Sequence, residues 1–186
     1  MHYYLFKEIS DELMSSWSYV LSQPKPLPLE EAQKLSYIKY TPPGGGGRKE
    51  QFIVTMENRG LILSSGTTGF RTWEAALHLG TYLSTSAGKD LIRGKNVVEL
   101  GAGTGLVSIF CAKELHANKV LATDRDPALI SNIQRCVSQN HLDAHTIDAC
   151  TWEWGSSLRD ANHTCKDLSY PLDIALGADL VCMHVL

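Results

Sequence analysis

The fold is decided by one stretch, Val97-Val98-Glu99-Leu100-Gly101-Ala102-Gly103-Thr104-Gly105. It begins as an apolar strand with an acidic residue near its end, and then alternates three glycines into the start of a helix. Glycine lets the backbone turn sharply and lets a ligand approach atoms that a side chain would cover, while the helix N-terminus offers unpaired N–H groups. The spacing GxGxG is not the GxGxxG of dinucleotide sites, so no pyrophosphate is specifically implied, and a short glycine motif can also be a structural turn.

Strands and helices alternate on the C-terminal side of this stretch. The predicted elements are a helix over residues 104–115, strands over 120–123, 146–149 and 173–181, and a helix that begins at Asp126-Pro127. Asp126 and Pro127 form an N-cap and N1 pair, and the helix after them places Leu129, Ile133 and Val137 on its inner face. Such alternation implies a parallel sheet with right-handed crossovers. The predicted fold class is therefore α/β.

Two acidic residues lie where a ligand would meet the predicted sheet. Asp124 closes the second strand about 20 residues after the glycines, where an acidic side chain meets ribose hydroxyls. Glu99 stands near the carboxyl end of the first strand, where ligands bind in open α/β sheets. Asp124 could instead be a solvated strand end or a partner for Arg125, and Glu99 a partner of a helix N-terminus. Strand, glycine loop, helix, strand and acid together favour a cofactor of the adenosine type.

The first third of the chain differs in character from the rest. The elements predicted here and just after it are helices over residues 3–21 and 29–37, strands over 51–55 and 61–63, and a helix over 72–83. Residues 42–47 read Pro-Pro-Gly-Gly-Gly-Gly, which is typical of a flexible joint. We therefore divide the chain into residues 1–50, an N-terminal helical segment with a glycine-rich joint, and residues 51–186, a cofactor-binding domain that opens with a β-hairpin.

Composition excludes several classes of protein. The 186 residues are 44% hydrophobic and 20% charged, unlike disordered or collagen-like chains. A net charge of -3 shows no excess of basic residues of the kind that nucleic-acid-binding proteins carry. No apolar run approaches the ~20 residues that span a bilayer. The cysteines show no paired spacing, which favours free thiols and predicts no metal site. We expect an intracellular, cytoplasmic protein with neither a membrane nor a nucleic acid as partner.

Several motifs resemble those of one known family. VVELGAGTG, TDRDP and LGADLV look like motifs I, II and IV of the seven-β-strand S-adenosylmethionine-dependent methyltransferases. SSGTTGFRTWEAALHLGTYL and TWEWGSS narrow the resemblance to the lysine methyltransferase branch called methyltransferase family 16. Within that branch the sequence is most similar to the fungal elongation factor 2 lysine methyltransferases. The resemblance extends from about Phe52 to Asp179, and it implies a Rossmann-like fold with S-adenosyl-L-methionine as cofactor.

The resemblance also assigns roles to individual residues. The positions that match the family's cofactor contacts are Trp73, Glu99, Gly101, Ala102, Gly103, Asp124, Trp154 and Ala178. Of these, Trp154 would pack on the adenine, Trp73 would line the pocket near the methionine group, and Ala178 would lie under the sulfonium. Asp179 is the candidate catalytic residue, expected to orient the incoming lysine amine. Without the family pattern, either tryptophan is more readily explained as a core aromatic.

The last residues depart from the family pattern. Relatives read roughly GAD-x-x-Y-D-P and continue for three more strands, whereas this chain has Cys182 followed by Met183-His184. We therefore expect a seven-strand fold that is C-terminally incomplete. The implied function is methylation of a lysine on a protein substrate by a monomer, with elongation factor 2 as the expected target. The alternatives are an inactive cofactor-binding or regulatory fragment, and a methyltransferase for another protein or a small molecule.

Overall fold

The computed structural model describes residues 10–24, 32–43, 51–60, 66–158 and 170–180. Its contacts divide the chain into two units, Met1–Glu31 and Ala32–Leu186. The helices and strands are α1 Asp11–Ser22, β1 Ser36–Tyr40, β2 Ile53–Glu57, α2 Glu74–Leu83, α3 Ser86–Ile92, β3 Asn96–Leu100, α4 Leu106–Lys113, β4 Lys119–Asp124, α5 Pro127–Gln139, β5 Ile147–Thr151 and β6 Ile174–Gly177. None of the helices in these ranges has the length and apolar character needed to cross a membrane.

The first unit contains the amphipathic helix α1. The Leu13 N–H donates to the side chain of the N-cap residue Ser10 at 3.3 Å, and Asp11 and Glu12 place negative charge in the first turn, where the helix dipole favours it. The apolar side chains of α1, Trp17 among them, are exposed. The predicted helix over residues 3–21 is confirmed where it is described, and residues 3–9 lie outside the described ranges.

A two-stranded antiparallel hairpin opens the second unit. β1 pairs with β2 in a register that runs from Ser36 opposite Glu57 to Tyr40 opposite Ile53. The predicted helix over 29–37 is therefore wrong at its end, where Ser36 and Tyr37 lie in β1. The alternating, aromatic- and isoleucine-rich sequence of β1 suits a strand. The predicted hairpin joins strands over residues 51–55 and 61–63, whereas β2, which corresponds to the first of these, pairs with the preceding strand β1. The strand predicted over residues 61–63 lies outside the described ranges.

The main sheet has four parallel strands in the order β5-β4-β3-β6. This arrangement, with α4 and α5 as the crossovers, confirms the α/β class. Residues of the sheet alternate between two faces: Val97 and Val120 join the large core with α4 and α5, while Val98 and Leu121 join a small cluster on the opposite face. Cys111 and Cys136 are buried free thiols. Cys150 is disulfide-bonded, so the expectation of free thiols is wrong there.

Side chains of α5 and of its C-cap residue form hydrogen bonds with the backbone groups on the edge of β2 that does not pair with β1. Asn140 Nδ2 donates to the Val54 carbonyl at 2.6 Å, and Asn140 Oδ1 accepts from the Val54 N–H at 3.0 Å. Cys136 Sγ accepts from the Met56 N–H at 3.2 Å, and Asn132 Nδ2 donates to the Met56 carbonyl at 2.8 Å. These side chains take the place of a neighbouring strand, because every backbone polar group buried here needs a partner. The hairpin is thereby fixed against α5.

Two helical glycines are expected to respond in opposite ways to alanine. A Cβ on Gly80, within α2, would meet nothing within 4 Å, whereas a Cβ on Gly88, within α3, would overlap the backbone of Tyr82 and Leu83. Gly80→Ala should stabilise the fold by up to ~1 kcal/mol through helix propensity. Gly88→Ala should destabilise it by ~1–3 kcal/mol, because main-chain atoms cannot move aside cheaply. Urea unfolding of both variants measures the two changes, and a stabilised Gly88→Ala chain would contradict the close packing of α2 on α3.

Candidate functional site

The order of the strands creates a switch point between β3 and β6. From β3 the chain proceeds to β4 and β5 on one side, and β6 then pairs with β3 on the other side. Ligands of open α/β sheets bind in the crevice at the carboxyl ends of the strands on either side of such a point. Leu100 pairs with Gly177, so Gly101 and Ala178 leave neighbouring strands at this same edge. The sequence placed both residues in the site, and the topology brings them together.

The glycine loop after β3 has a backbone that needs glycine. Gly101, Gly103 and Gly105 have φ values of 61°, 53° and 79°, in the left-handed region that other residues rarely adopt. The Ala102 N–H donates to the Thr123 carbonyl at 2.8 Å, which ties the loop to β4. A Cβ on Gly103 would come within 3.1 Å of the Gly69 carbonyl oxygen. The loop is thus held between β4 and the segment that precedes α2.

Asp124, the last residue of β4, is bonded to this loop. Its Oδ2 accepts from the Gly103 N–H at 3.0 Å, and its Oδ1 accepts from the Asp126 N–H at 3.2 Å. Its carbonyl oxygen accepts from the Trp152 N–H at 2.9 Å. The half-buried carboxylate is therefore fixed by backbone donors on both oxygens. A carboxylate oxygen can accept more than one hydrogen bond, so Asp124 retains capacity for a ligand hydroxyl.

Glu99 is buried behind the loop. It is 3% exposed, and its Oε2 accepts from the Ser108 N–H at 2.8 Å and from the Ser108 hydroxyl. Ser108 lies in the first turn of α4, so Glu99 is bonded to a helix N-terminus. This contact is the alternative role that the sequence suggested for Glu99. Burial raises the pKa of Glu99 to about 7, with a further rise from the charge of Asp124, although the Ser108 bonds oppose the shift. The buried carboxyl group of Glu99 and the half-buried one of Asp124 therefore both lie at this edge of the sheet.

A cradle over Gly101 is formed by Trp154 and Leu180. From the position that a Cβ on Gly101 would occupy, Leu180 Cδ2 is 3.0 Å away and Trp154 Cζ2 is 3.8 Å away. The Trp154 side chain is 47% exposed, so it is not the core aromatic that the sequence left as an alternative. The sequence did not predict a role for Leu180. Its position directly after the LGAD motif is the signal that could have indicated one. The absence of a side chain at position 101 lets Leu180 pack directly on the loop backbone, next to the Trp154 ring.

The remaining candidate residues lie around this edge. Trp73 is the N-cap residue of α2, and its Nε1 donates to the Thr68 carbonyl at 3.2 Å while the Arg71 guanidinium lies 5.2 Å from the ring centre. Asp179 is exposed and has a φ of 58°, a strained geometry that clusters at functional sites. Ala178 is half-buried beside it. Among the described residues, no group of three or more His, Cys, Asp or Glu side chains could hold a metal ion.

Known proteins resemble this chain over most of its length. Residues 56–184 match the family model described as lysine methyltransferase. The chain is 37% identical to the protein-lysine N-methyltransferase EFM3 of Chaetomium thermophilum, over 92% of this chain and 51% of that protein. It is 38% identical to the EEF1A lysine methyltransferase 3 of Xenopus tropicalis, over 60% of this chain and 45% of that protein.

These matches are partial on the side of the relatives. The chain spans about half the length of the curated relatives it matches. The solved MTase domain of METTL16 is 20% identical, with a TM-score of 0.43 over 58% of this chain and 42% of that one, which is too distant to bear on function. The family model, by contrast, covers well over half of the chain, including the glycine loop, Asp124 and Trp154. The chain belongs to the lysine methyltransferase family, whose methyl donor is S-adenosylmethionine.

Proposed function

We propose that the protein binds S-adenosylmethionine at the carboxyl edge of the sheet and transfers its methyl group to a lysine of a translation elongation factor. The observation that supports this most is the convergence of the glycine loop, Asp124, Trp154 and Ala178 at one switch point. The residues fit the cofactor. Gly101 leaves its backbone uncovered by a side chain of its own, Asp124 can accept from ribose hydroxyls, and the half-exposed Trp154 ring offers a face for the adenine.

Methyl transfer depends more on the positioning of the two reactants than on reactive side chains of the protein. S-adenosylmethionine, when bound, supplies a methyl group on a sulfonium, which a neutral lysine amine accepts in line. The protein must hold that amine close and dry, since positioning of this kind lowers the barrier. It must also favour the unprotonated amine, whose ordinary pKa is about 10.4. Asp179, which follows Ala178 at the end of β6, is our candidate to accept a hydrogen bond from the amine and orient it.

The elongation factor is the finer part of the proposal. One relative carries EEF1A lysine methyltransferase in its name, and the sequence resembles elongation factor 2 lysine methyltransferases. The two factors are therefore tested side by side as substrates. Incubation of the chain with tritiated S-adenosylmethionine should label elongation factor 2, and mass spectrometry of the labelled factor should place the methyl group on a lysine.

Three outcomes separate the candidate functions. Label on elongation factor 2 supports the proposal, and label on elongation factor 1A alone replaces the target while keeping the chemistry. If a folded chain binds S-adenosylhomocysteine but labels neither factor, the methyltransferase proposal for these substrates fails and the cofactor-binding fragment takes its place. Calorimetric titration with S-adenosylhomocysteine is therefore the companion measurement, because it reports binding without catalysis.

The Trp154 ring provides a first test of the cofactor pose. Trp154→Ala should weaken the binding of S-adenosylhomocysteine by ~1–3 kcal/mol, the range measured for aromatic side chains that stack on bases. Little change in stability is expected, since the ring is 47% exposed. Tyr82→Ala, which removes a ring that is 51% exposed on α2, is the matched control and should bind as the unmodified chain does. Calorimetry checks both, and equal affinities in all three chains would remove Trp154 from the site.

A further inference from the structure

A chain of buried polar side chains runs from the hairpin to the glycine loop. Glu57, the last residue of β2, is 1% exposed. Its Oε1 accepts from Thr55 Oγ1 at 2.5 Å and from Thr72 Oγ1 at 2.8 Å, and its Oε2 accepts from the Thr72 N–H at 3.1 Å. Thr72 Oγ1 lies 2.7 Å from Thr104 Oγ1. Thr104 stands between Gly103 and Gly105, so the chain ends inside the loop that forms the site.

The hydrogen bonds in this chain have one consistent direction. A carboxylate only accepts, and a threonine hydroxyl has a single proton to donate. Because Thr72 Oγ1 donates its proton to Glu57, its bond with Thr104 requires the Thr104 hydroxyl to be the donor. The polarity therefore runs from Thr104 through Thr72 to Glu57. The orientation of a loop side chain is thus set by a carboxylate in a different element.

The buried carboxylate is not explained by packing alone. Removing a carboxylate from water is costly, and apolar residues of similar volume often serve a core as well. Burial raises the pKa of the neighbouring Tyr40 to about 12, with the charge of Glu57 adding to the rise and the charge of Arg59 opposing it. Glu57 also accepts from the backbone of Thr72, next to Trp73. Glu57 is thereby bonded directly to Thr72, which precedes α2, and indirectly, through the Thr72 hydroxyl, to the glycine loop.

We propose that Glu57 is a positioning residue for the methyl-donor site. Through the Thr72 hydroxyl it fixes Thr104, and with it the glycine loop. Through the Thr72 N–H it fixes the residue before Trp73. Glu57 itself touches neither cofactor nor substrate in this scheme. The inference rests on the proposed function, because the loop is taken to bind S-adenosylmethionine.

A double-mutant cycle on cofactor affinity tests this role. Glu57→Leu removes the acceptor at one end of the chain, and Thr104→Val removes the donor at the other. Each should weaken the binding of S-adenosylhomocysteine by about 10-fold, the size expected for one lost hydrogen bond. The double variant should bind about as weakly as either single variant, because both changes break the same connection. Thr72→Val, which removes the middle hydroxyl, should give the same loss and replaces Glu57→Leu if that chain does not fold.

Two further variants separate positioning from general stability. Glu57→Gln should retain most of the affinity, since its NH₂ can donate to the Thr55 and Thr72 hydroxyls while its oxygen accepts from the Thr72 N–H. Asn140→Ala should lower the free energy of unfolding without lowering affinity, because Asn140 bonds β2 away from the loop.

The outcomes of the cycle distinguish the positioning role from the function itself. Unchanged affinity in Glu57→Leu, or losses that multiply to about 100-fold in the double variant, overturn the positioning role while the function stands. An unmodified chain that does not bind S-adenosylhomocysteine overturns the proposed function, and the role of Glu57 with it. In calorimetry the unmodified chain shows a binding isotherm in the first case and shows none in the second.

Discussion

Asp124→Asn is expected to bind S-adenosylhomocysteine on the order of 100-fold more weakly than the unmodified chain, the equivalent of roughly two hydrogen bonds to a charged group. The amide has nearly the same shape as the carboxylate, so the loss does not come from a cavity. Both Asp124 oxygens accept from backbone N–H groups, those of Gly103 and Asp126. An amide turns its NH₂ towards one of these donors whichever way it is oriented. Either the Gly103 N–H or the Asp126 N–H then loses its acceptor, and the ribose hydroxyls lose a charged acceptor.

Asp126 offers a close control for this experiment. It lies two residues further on, and its side chain caps α5 by accepting from the Ala128 N–H at 2.9 Å. Asp126→Ala should lower the free energy of unfolding by ~1 kcal/mol, as for other lost N-caps, and leave the affinity unchanged. Calorimetry and urea unfolding measure the two quantities. Asp124→Asn with normal affinity would show that neither the backbone bonds nor the charge of Asp124 contributes to binding, and that the ribose is bound elsewhere.

Glu99→Gln is expected to make the protein more stable at neutral pH. Burial raises the pKa of Glu99 from 4.5 to about 7, so the folded chain holds this proton more tightly than the unfolded chain does. The group's favourable contribution is therefore complete below pH 4.5 and is lost as the pH rises towards 7. A neutral glutamine keeps an acceptor for Ser108 without this loss. Above pH 7 the variant should be more stable by roughly 3 kcal/mol, at about 1.4 kcal/mol per pKa unit.

Urea unfolding of both chains at several pH values checks this expectation. The difference in unfolding free energy should be small at pH 4.5 and should grow through pH 6 to a plateau above 7. Glu153→Gln, a change at an exposed carboxylate, serves as control and should show no such growth. A difference that does not depend on pH would mean that Glu99 titrates normally. The same variant should bind S-adenosylhomocysteine less well, as expected where a site keeps a destabilised charge for function.

The elements with strong local signals could be predicted from the sequence. The Asp126-Pro127 start of α5 is confirmed by the bond to the Ala128 N–H, because capping depends on neighbouring residues only. The buried strand before the glycine loop is confirmed with one residue added, Asn96. The loop, Asp124 and Ala178 share one edge as predicted, since the carboxyl ends of parallel strands share an edge. Their roles towards the cofactor stay predictions.

Features that depend on distant residues could not be predicted in the same way. The sequence predicts a helix over part of β1 because the partner of this strand, β2, lies beyond the glycine run, and a local pattern does not show such pairing. α3 was missed because its seven residues include Gly88 and expose most side chains, which leaves little periodic signal. Glu57 was not singled out because an acidic residue at a strand end is ordinary in sequence. Only the fold brings Thr72 and Thr104 to it.

The central place of β3 in the sheet bears on the thermodynamics of ligand association. β3 is paired with β4 on one side and with β6 on the other, and the loop at its end is bonded to β4. Backbone that is already ordered loses little conformational entropy when a ligand arrives. The glycine loop therefore needs no folding step of its own on binding. The entropy lost on association should come mainly from the ligand and from the exposed Trp154 ring, which makes a rigid analogue of the cofactor a tighter ligand than a flexible one.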